Sequence, residues 1–249
     1  MTERRYLITG AASGIGAAAA RLLAGPGVAI ALHTRKNQPG LERVAADVRA
    51  QGGTAHLILG DLADPALPAR VVEGAATALG GLDVVVANAG FADRTPMMTL
   101  TDPAYAASQD AIAFAFLRLA RAAQPYLSAG QQPRMIAVSS FVAHVFRLEH
   151  PIFPASAAAK AALEALVKSL ALEWAPAITV NAVAPGFTRK DPGAHAALTP
   201  GAFEERIARI PMRRLGLPEE VASAIQWLAS PLAGYVTGQV IHVDGGITA

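Results

Sequence analysis

Three glycines near the start of the chain have the spacing of a phosphate-binding turn. The segment TGAASGIG, residues 9–16, follows a short apolar run and opens an Ala-rich stretch. Gly10 permits a tight turn, Gly14 leaves room for a pyrophosphate, and Gly16 permits close packing of a helix on a strand. The helix N-terminus supplies amide donors and partial positive charge to an anion, whereas the alternative is a plain Gly-rich turn. The predicted contacts of this turn are Gly10, Ser13, Gly14, Ile15 and Gly16.

The end of the second predicted strand carries cations where an acidic residue would select a ribose 2′-hydroxyl. The sequence there is ALHTRKN, residues 31–37, without Asp or Glu. Arg35 and Lys36 would meet a 2′-phosphate, and Thr34 would donate a hydrogen bond to it. We therefore expect NADP(H) as the cofactor; the alternative is that these side chains belong to a solvated loop.

These candidate sites lie within a regular alternation of strand-like and helix-like segments. The strand-like runs are short, apolar and β-branched, which favours strands covered on both faces of a parallel sheet. The longer segments are rich in Ala and Leu and predict helices. The alternation predicts one α/β domain over residues 1–249, with a doubly wound, Rossmann-like parallel sheet of about seven strands and ligands beyond their carboxyl ends. Strands are predicted at 6–10, 27–33, 55–60, 82–90, 134–140, 177–186 and 238–246, and helices at 15–25, 41–51, 66–80, 103–129, 155–174 and 218–230.

Composition excludes several classes of function. The net charge is only +2, and the basic stretches are short and lack interleaved aromatic residues, so we expect no nucleic-acid partner. The absence of Cys excludes disulfides, thiolate catalysis and Cys-ligated metals, and it fits a cytoplasmic location. No uncharged apolar run is long enough to predict a transmembrane helix, so we expect no membrane partner. We also expect no metal site.

Further motifs extend the pattern over almost the whole chain. They are NAG at 88–90, two Ser at 139–140, Lys160 in an Ala-rich helix, and PG at 185–186. With the glycine turn, whose spacing is T-G-x-x-x-G-x-G, they resemble the short-chain dehydrogenase/reductase family from Tyr6 to Gly246. The resemblance implies an oxidoreductase that moves hydride between a nicotinamide and a carbon atom of a small-molecule substrate.

The resemblance also assigns residues to the cofactor. Asp61, followed by Leu62, matches the family residue that faces the adenine amine, with a turn or helix-cap Asp as the alternative. The other implied contacts are Asn88, Ala89 and Gly90 behind the cofactor, Lys160 at the ribose, and Pro185, Gly186 and Thr188 around the nicotinamide end.

Two residues match the family's catalytic positions. In the family, a Ser polarises the substrate oxygen, a Tyr exchanges the proton, and a Lys four residues later binds the ribose and lowers the pKa of the Tyr. Ser140 matches the Ser, with Ser139 as the alternative, and Lys160 matches the Lys. The charges of Lys160, Glu164 and Lys168 recur every four residues and therefore share one helix face.

Two other catalytic positions depart from the family pattern. Ser156 occupies the Tyr position, and its hydroxyl reaches less far and is less acidic than a phenol. Phe153 fills the position where a related enoyl-reductase branch has its Tyr. The family's Asn, which holds a water relay, aligns with Ala111, and the adjacent Asp110 should point elsewhere on a helix. The site therefore moves protons differently or not at all.

Several groups are candidates for the missing proton donor. The loop before Ser156 is about three residues longer than the family pattern implies and contains His144, Glu149 and His150. A His near its ordinary pKa is a competent general acid, although a surface-loop His is the simpler interpretation. A water molecule held by Ser156 and Lys160 is the other candidate.

Three hypotheses follow for the whole chain. The first is an NADPH-dependent oxidoreductase that acts on a small carbonyl, imine or activated alkene with atypical proton donation. The second is a non-redox protein on the same scaffold, which binds NADP(H) as a sensor or catalyses a cyclisation-like reaction. The third treats Ser156 as an introduced substitution in an ordinary reductase, although the missing Asn argues against it because one change would suffice.

Two further expectations come from the resemblance. Residues 187–217 would form a substrate lid with a short helix near 202–209. The candidate pocket-lining residues of this lid are Phe187, His195, Phe203 and Met212. Relatives commonly assemble through their long helices, so we expect a homo-oligomer, a tetramer or dimer, joined through 103–129 and 155–174.

Overall fold

The strand-like runs of the sequence form one parallel sheet. The structure is a computed structural model, and it describes residues 3–146, 152–189 and 207–249. Each pair of neighbouring strands is parallel, and their order in the sheet is 3-2-1-4-5-6-7. The strands are β1 (Arg4–Thr9), β2 (Val28–Thr34), β3 (Thr54–Leu59), β4 (Val84–Ala87), β5 (Arg134–Val138), β6 (Thr179–Pro185) and β7 (Val240–Val243).

Helices cover both faces of this sheet, which confirms the predicted doubly wound architecture. Successive strand residues point to opposite faces, so Leu7 joins the core under one helix layer and Ile8 the core under the other. The helices are α1 (Gly14–Leu23), α2 (Gln38–Ala50), α3 (Leu67–Leu79), α4 (Asp102–Gln109), α5 (Ala115–Ser128), α6 (Pro154–Trp174) and α7 (Pro218–Ala229). The first layer consists of α3, α5 and α6, and the second of α1, α2 and α7.

The helix predicted at 103–129 is present as a helical segment over 102–128, and it contains one π-helical turn. Asp110–Phe114 form a π-helical turn between α4 and α5, in which the N–H of Ala115 donates to the carbonyl of Asp110. Such a turn widens the helix by one residue and rotates the side chains on either side of it. Ala111 lines the large cleft described below. Asp110 is not among the lining residues, in agreement with the prediction that it points elsewhere, and it pairs with Arg118 at 3.1 Å.

The predicted lid helix near 202–209 lies largely outside the described residues. Within the described ranges, no cluster of three His, Asp or Glu side chains is placed to hold a metal ion. In those same ranges, none of the helices has the combined length and apolar character needed to cross a bilayer.

Candidate active site

A cleft of about 680 Å³ crosses the carboxyl ends of the strands. It includes the point between β1 and β4 where the strand order reverses, which is the usual ligand position in such sheets. The predicted cofactor contacts line it, with the exceptions of Gly16 and Lys36, and so do Ser140, Ser156 and Lys160. We call one part the nucleotide end, lined by the glycine turn, Thr34, Arg35 and Asp61. The other part is the chemistry end, lined by Arg94, Ser140, Phe153, Ser156, Lys160 and Phe187.

The glycine turn has the backbone geometry that its sequence predicts. Gly10 has a φ of +66°, in the left-handed region that favours glycine. Gly16 lies beneath the turn, where a Cβ would overlap the carbonyl oxygen of Gly10 and the amide nitrogen of Asn88. Gly16 therefore stays out of the lining because it packs α1 against the turn. A Cβ at Gly14, in contrast, would meet no atom within 4 Å, so the space beside that part of the turn is open.

Asn88 and Ala89 hold the glycine turn against the end of β4. The Asn88 amide nitrogen donates to the carbonyl oxygens of Thr9 at 2.9 Å and Gly10 at 3.2 Å. The Thr9 hydroxyl oxygen accepts the backbone N–H groups of Asn88 and Ala89, each at 3.0 Å. The side chain of Asn88 thus braces the turn from below.

Arg35 stands at the nucleotide end beside the carboxylate of Asp61. The Arg35 Nη1 to Asp61 Oδ2 distance is 3.7 Å, and 63% of the Arg35 side chain is exposed. Thr34 is buried and lines the cleft. Lys36 does not line the cleft, although its neighbours Arg35 and Asn37 do. Arg35 is therefore an exposed cation at the nucleotide end of the cleft.

His33 is a cleft residue that sequence reasoning missed. Its Nε2 lies 3.0 Å from the carbonyl oxygen of Gly60, and burial lowers the pKa of the ring. The neutral ring can donate Nε2–H to that carbonyl and so tie the ends of β2 and β3 together. The sequence could have indicated a cleft position for His33, because this residue is the last but one of a buried strand.

Lys160 is buried at the chemistry end. Its Nζ donates to the carbonyl oxygen of Val138 at 2.6 Å, and only 8% of the residue is exposed. Burial lowers the pKa of Lys160 to about 8, and the charge of Glu164, one turn later on α6, partly opposes that shift. A Cβ on Gly90 would lie 3.4 Å from this Nζ, so Lys160 faces the turn after β4 at close range. The ammonium can exchange a proton near neutral pH.

Ser156 is engaged by the loop that follows β4. Its Oγ accepts the backbone N–H of Asp93 at 2.8 Å and donates towards the carbonyl oxygen of Phe91 at 3.4 Å. The residue is 2% exposed, although it lines the floor of the cleft. A hydroxyl used as both donor and acceptor within the protein holds the loop. This arrangement argues against Ser156 as the proton donor.

The two neighbouring serines have different partners. Ser139 Oγ donates to Glu164 Oε1, the same oxygen that lies 3.0 Å from His144 Nε2. Ser140 Oγ accepts only a long 3.4 Å bond from the Val142 N–H and is half-buried at the cleft. The geometry therefore favours Ser140, the first choice from sequence, as the group that polarises a substrate oxygen.

His144 is turned away from the cleft. Its ring packs edge-on against His242, with ring centroids 4.6 Å apart, and it is not among the lining residues. That placement argues against His144 as a direct donor. Glu149 and His150, the other candidates from this loop, lie outside the described residues.

The walls of the chemistry end are aromatic and cationic. The rings of Phe141 and Phe187 have centroids 4.5 Å apart, and the Arg94 guanidinium lies 5.5 Å from the centroid of the Phe153 ring. Sequence reasoning missed Arg94 and Phe141, because only the fold brings these loops together. Phe187 lines the cleft as predicted.

The other residues predicted for the lid divide into two groups. Met212 packs beside Gly245, where a Cβ would contact its side chain, and it is absent from the cleft lining. His195 and Phe203 lie outside the described residues. Thr188 follows β6: its hydroxyl donates to the Gly186 carbonyl at 3.2 Å, and its neighbours pair with Gly216.

A parallel sheet with a glycine turn and a buried lysine at its carboxyl edge defines a nicotinamide-dependent oxidoreductase of Rossmann-like fold. The chain belongs to the short-chain dehydrogenase/reductase family, and the predicted family is confirmed. A family model described as enoyl-(acyl carrier protein) reductase matches residues 10–248. Its relatives are named dehydrogenases and reductases, so the chain is an NAD(P)-dependent oxidoreductase.

Three similar proteins illustrate this membership. Cis-4-hydroxycyclohexanecarboxylate dehydrogenase of Sinomonas cyclohexanicum is 37% identical over 99% of this chain and 97% of its own length. The 3-oxoacyl-(acyl-carrier-protein) reductase of Vibrio cholerae is 33% identical over 97% of this chain and 96% of its own. A crystal structure of a short-chain dehydrogenase from Burkholderia cenocepacia in complex with NADP has a TM-score of 0.89 and 32% identity, and the match covers 100% and 99% of the two chains.

Proposed function

We propose that the protein is an NADP(H)-dependent oxidoreductase that transfers hydride to a small carbonyl, imine or activated alkene without a tyrosine acid. The observation that carries this proposal is a single cleft in which the glycine turn, Arg35 and Lys160 face one ligand-sized space. The open space beside Gly14 lets a pyrophosphate approach the backbone of the turn.

Arg35 supports a preference for NADP(H) over NAD(H). Its exposed guanidinium can form paired hydrogen bonds with a 2′-phosphate. Asp61 has a backbone partner besides Arg35, since its Oδ1 accepts the Ala63 N–H at 3.1 Å. The carboxylate can therefore keep its place when a phosphate takes over the guanidinium. The Burkholderia neighbour, which binds NADP, supports the same preference.

The bound nicotinamide would supply or accept the hydride. In this chain Ser140 would polarise the substrate oxygen, and the Lys160 ammonium would bind ribose and stabilise developing negative charge. With a pKa lowered to about 8, Lys160 can pass a proton from water to the reduced oxygen or carbon. The named substrate of the Sinomonas relative is a hydroxyl-bearing ring, which supports a small ketone or alcohol among the three classes.

A second candidate is a non-redox NADP(H)-binding protein on the same scaffold. The hydroxyl of Ser156 is engaged by the Asp93 N–H and the Phe91 carbonyl, and Ala111 lines the cleft at the family's Asn position. Both departures affect residues expected to transfer protons, and neither lies at the nucleotide end of the cleft. A sensor or a cyclase-like catalyst would need only that end.

Calorimetry and nicotinamide absorbance distinguish the two candidates. We expect NADPH to bind more tightly than NADH and to be consumed with at least one member of a panel of ketones, enones and imines. Tight NADPH binding without hydride transfer to any member would favour the non-redox candidate. Binding of neither nucleotide would refute both. A large gain of ketone reduction in Ser156→Tyr would indicate an ordinary reductase that one substitution has disabled.

We also propose a cytoplasmic homo-oligomer, a tetramer or dimer, joined through α4–α6. Phe114 and Leu172 are exposed apolar residues on this helical layer, which supports a covered face. Light scattering of the purified protein measures the assembly, and a monomer at micromolar concentration would contradict it.

A further inference from the structure

A line of hydrogen-bonded polar side chains leads from the chemistry end of the cleft to the surface behind it. Glu164 is a buried residue of α6, one turn after Lys160. Its Oε1 accepts the hydroxyl of Ser139, and the same oxygen lies 3.0 Å from Nε2 of His144. Ser139 lines the cleft, whereas His144 lies outside the lining and keeps 31% of its side chain exposed. Glu164 therefore links a cleft residue to an imidazole that reaches solvent.

The shared carboxylate oxygen gives this line a chemical use. A buried carboxylate needs hydrogen-bond partners, and the hydroxyl of Ser139 would supply one without any histidine. The imidazole of His144 adds a group that can exchange protons with solvent near neutral pH. Because both partners meet Oε1 of Glu164, a proton that leaves the imidazole arrives on the atom that faces the Ser139 hydroxyl.

The charged groups around this line lie at its two ends. At the cleft end, the charge of Glu164 opposes the burial that lowers the pKa of Lys160. At the surface end, the ring of His242 packs edge-on against His144 with centroids 4.6 Å apart, and its Nδ1 lies 3.8 Å from Oδ2 of Asp244. Among the described residues, the titratable groups on the elements that meet here are Lys160 and Lys168 on α6, His144 after β5, and His242 and Asp244 at the end of β7.

The ligands of the proposed reaction would separate Lys160 from bulk water. The cleft of about 680 Å³ would hold both the dinucleotide and the substrate. Reduction of a carbonyl or imine consumes one hydride and one proton, and in the proposed function Lys160 passes that proton on through water. Each turnover leaves the lysine without one proton, while Ala111 lines the cleft at the position where the family holds its water relay. A second route for protons is therefore needed.

We infer that Glu164 and His144 form the proton path that recharges Lys160 from the surface behind the cleft. His144 takes up a proton from solvent and releases one from Nε2 to Oε1 of Glu164. The protonated carboxyl donates to Ser139 Oγ, and the hydroxyl hydrogen of Ser139 passes to water beside the Lys160 amine. One proton enters at the surface and one reaches the lysine, so atoms and charge balance without an oxidant or reductant. Neither residue touches the substrate; both act through Lys160. The inference rests on the proposed function and specifies its proton supply.

Two substitutions of Glu164 separate proton transfer from hydrogen bonding. Glu164→Gln keeps the size and an acceptor for Ser139 but cannot carry a proton, whereas the shorter Glu164→Asp keeps a titratable carboxyl. We expect kcat to fall about tenfold in Glu164→Gln and less in Glu164→Asp, with a larger solvent deuterium isotope effect in Glu164→Gln. A purely structural role predicts the opposite order, because Gln has the shape of Glu. Glu173→Gln, an exposed change on the same helix, should leave kcat unchanged.

The conditions of the assay limit the indirect effect of the lost charge. At about pH 6, well below the Lys160 pKa of about 8, the lysine depends less on the Glu164 charge for its proton. His144→Ala should lower kcat by a similar factor, and imidazole in solution should restore part of it by entering the space of the missing ring. His56→Ala removes an exposed ring on β3 and should show neither effect. The double variant Glu164→Gln/His144→Ala should be no slower than Glu164→Gln, because both residues serve one path.

A measurement without turnover keeps the test independent of the substrate. NMR of the isotope-labelled protein–NADPH complex follows hydrogen exchange between the Lys160 ammonium and water, and the signal is assigned by its loss in Lys160→Met. Exchange should be slower in Glu164→Gln and unchanged in Glu173→Gln. If no substrate turns over but exchange still slows in Glu164→Gln, the proposed function fails and the proton path stands. Exchange at the wild-type rate in Glu164→Gln, a lower kcat in Glu164→Asp than in Glu164→Gln, or no recovery of His144→Ala with imidazole would overturn the inference.

Discussion

The two ends of the cleft are built from different kinds of atoms. At the nucleotide end, backbone amides and glycine conformations shape the site, and Asn88 braces them with side-chain-to-backbone bonds. At the chemistry end, side chains from separate elements meet: Arg94 from the loop after β4, Lys160 from α6 and Phe187 from the loop after β6.

This difference explains why the departures from the family pattern lie at only one end. A phosphate turn depends on local backbone geometry, so few sequences preserve it. A proton donor or a substrate contact can be supplied by any element that reaches the same space. Ser156 and Ala111 are such departures: an engaged hydroxyl and a methyl group stand where a Tyr and an Asn are expected. Four changes test this contrast.

The largest effect should come from Gly16→Ala at the nucleotide end. The added Cβ would overlap the Gly10 carbonyl oxygen, displace α1 from the turn, and weaken NADPH binding about hundredfold, or ~2.7 kcal/mol. Gly74→Ala on α3 is the control, because its Cβ would meet only Ile58 at 3.8 Å. Calorimetry measures affinity and circular dichroism checks the fold. Wild-type affinity in a folded Gly16→Ala protein would refute the assigned position of the pyrophosphate.

Arg35→Ala should change cofactor selectivity. Loss of the charged hydrogen bonds to a 2′-phosphate should cost about 2 kcal/mol, which is roughly thirtyfold in NADPH affinity. NADH affinity should change little, because NADH has no phosphate at that position. Arg43→Ala is the matched control on the exposed face of α2. An equal loss for both nucleotides would show that Arg35 binds something common to them.

The pH dependence of NADPH binding should follow Lys160. Because its pKa is lowered to about 8, Lys160 is protonated below that pH and neutral above it, so affinity should fall as pH rises through about 8. The Glu164 carboxylate raises the Lys160 pKa, so Glu164→Gln should move that fall to lower pH. Fluorescence titration of NADPH across the pH range measures the fall in affinity in both proteins, and Lys160→Met should abolish this fall. If Lys160→Met showed the same fall in affinity, another titrating group would be responsible for it.

The smallest effect should come from Ser156→Ala at the chemistry end. The Asp93 N–H loses its acceptor, which should lower the free energy of unfolding by about 1 kcal/mol. NADPH affinity should stay the same, because Ser156 lies at the other end of the cleft. Ser169→Ala is a suitable control, since its hydroxyl bonds only within the exposed face of α6. A denaturation midpoint equal to that of the wild type would show that Ser156 does not hold the loop.

Much of this architecture could be predicted from local pattern. Short apolar runs alternating with Ala- and Leu-rich segments predicted the parallel sheet, because strands buried on both faces need apolar side chains at every position. The four-residue spacing of Lys160 and Glu164 predicted a shared helix face, and the carboxylate does influence the pKa of the lysine. The π-helical turn at Asp110–Phe114 within the predicted helix was not predicted, since such a turn leaves no composition signal in an Ala-rich segment.

By itself the sequence determined the nucleotide end, because TGAASGIG encodes its geometry in the glycines and needs only the strand before it and the helix after it. Tertiary structure decided the chemistry end. The choice between Ser139 and Ser140 depends on Glu164, which lies 25 residues from Ser139 along the chain, and the role of Ser156 depends on Asp93, 63 residues away. Contacts over such separations arise only when the sheet brings strand ends together. The bond of the Ser156 hydroxyl and the position of Arg94 in the same cleft therefore could not be predicted from sequence spacing alone.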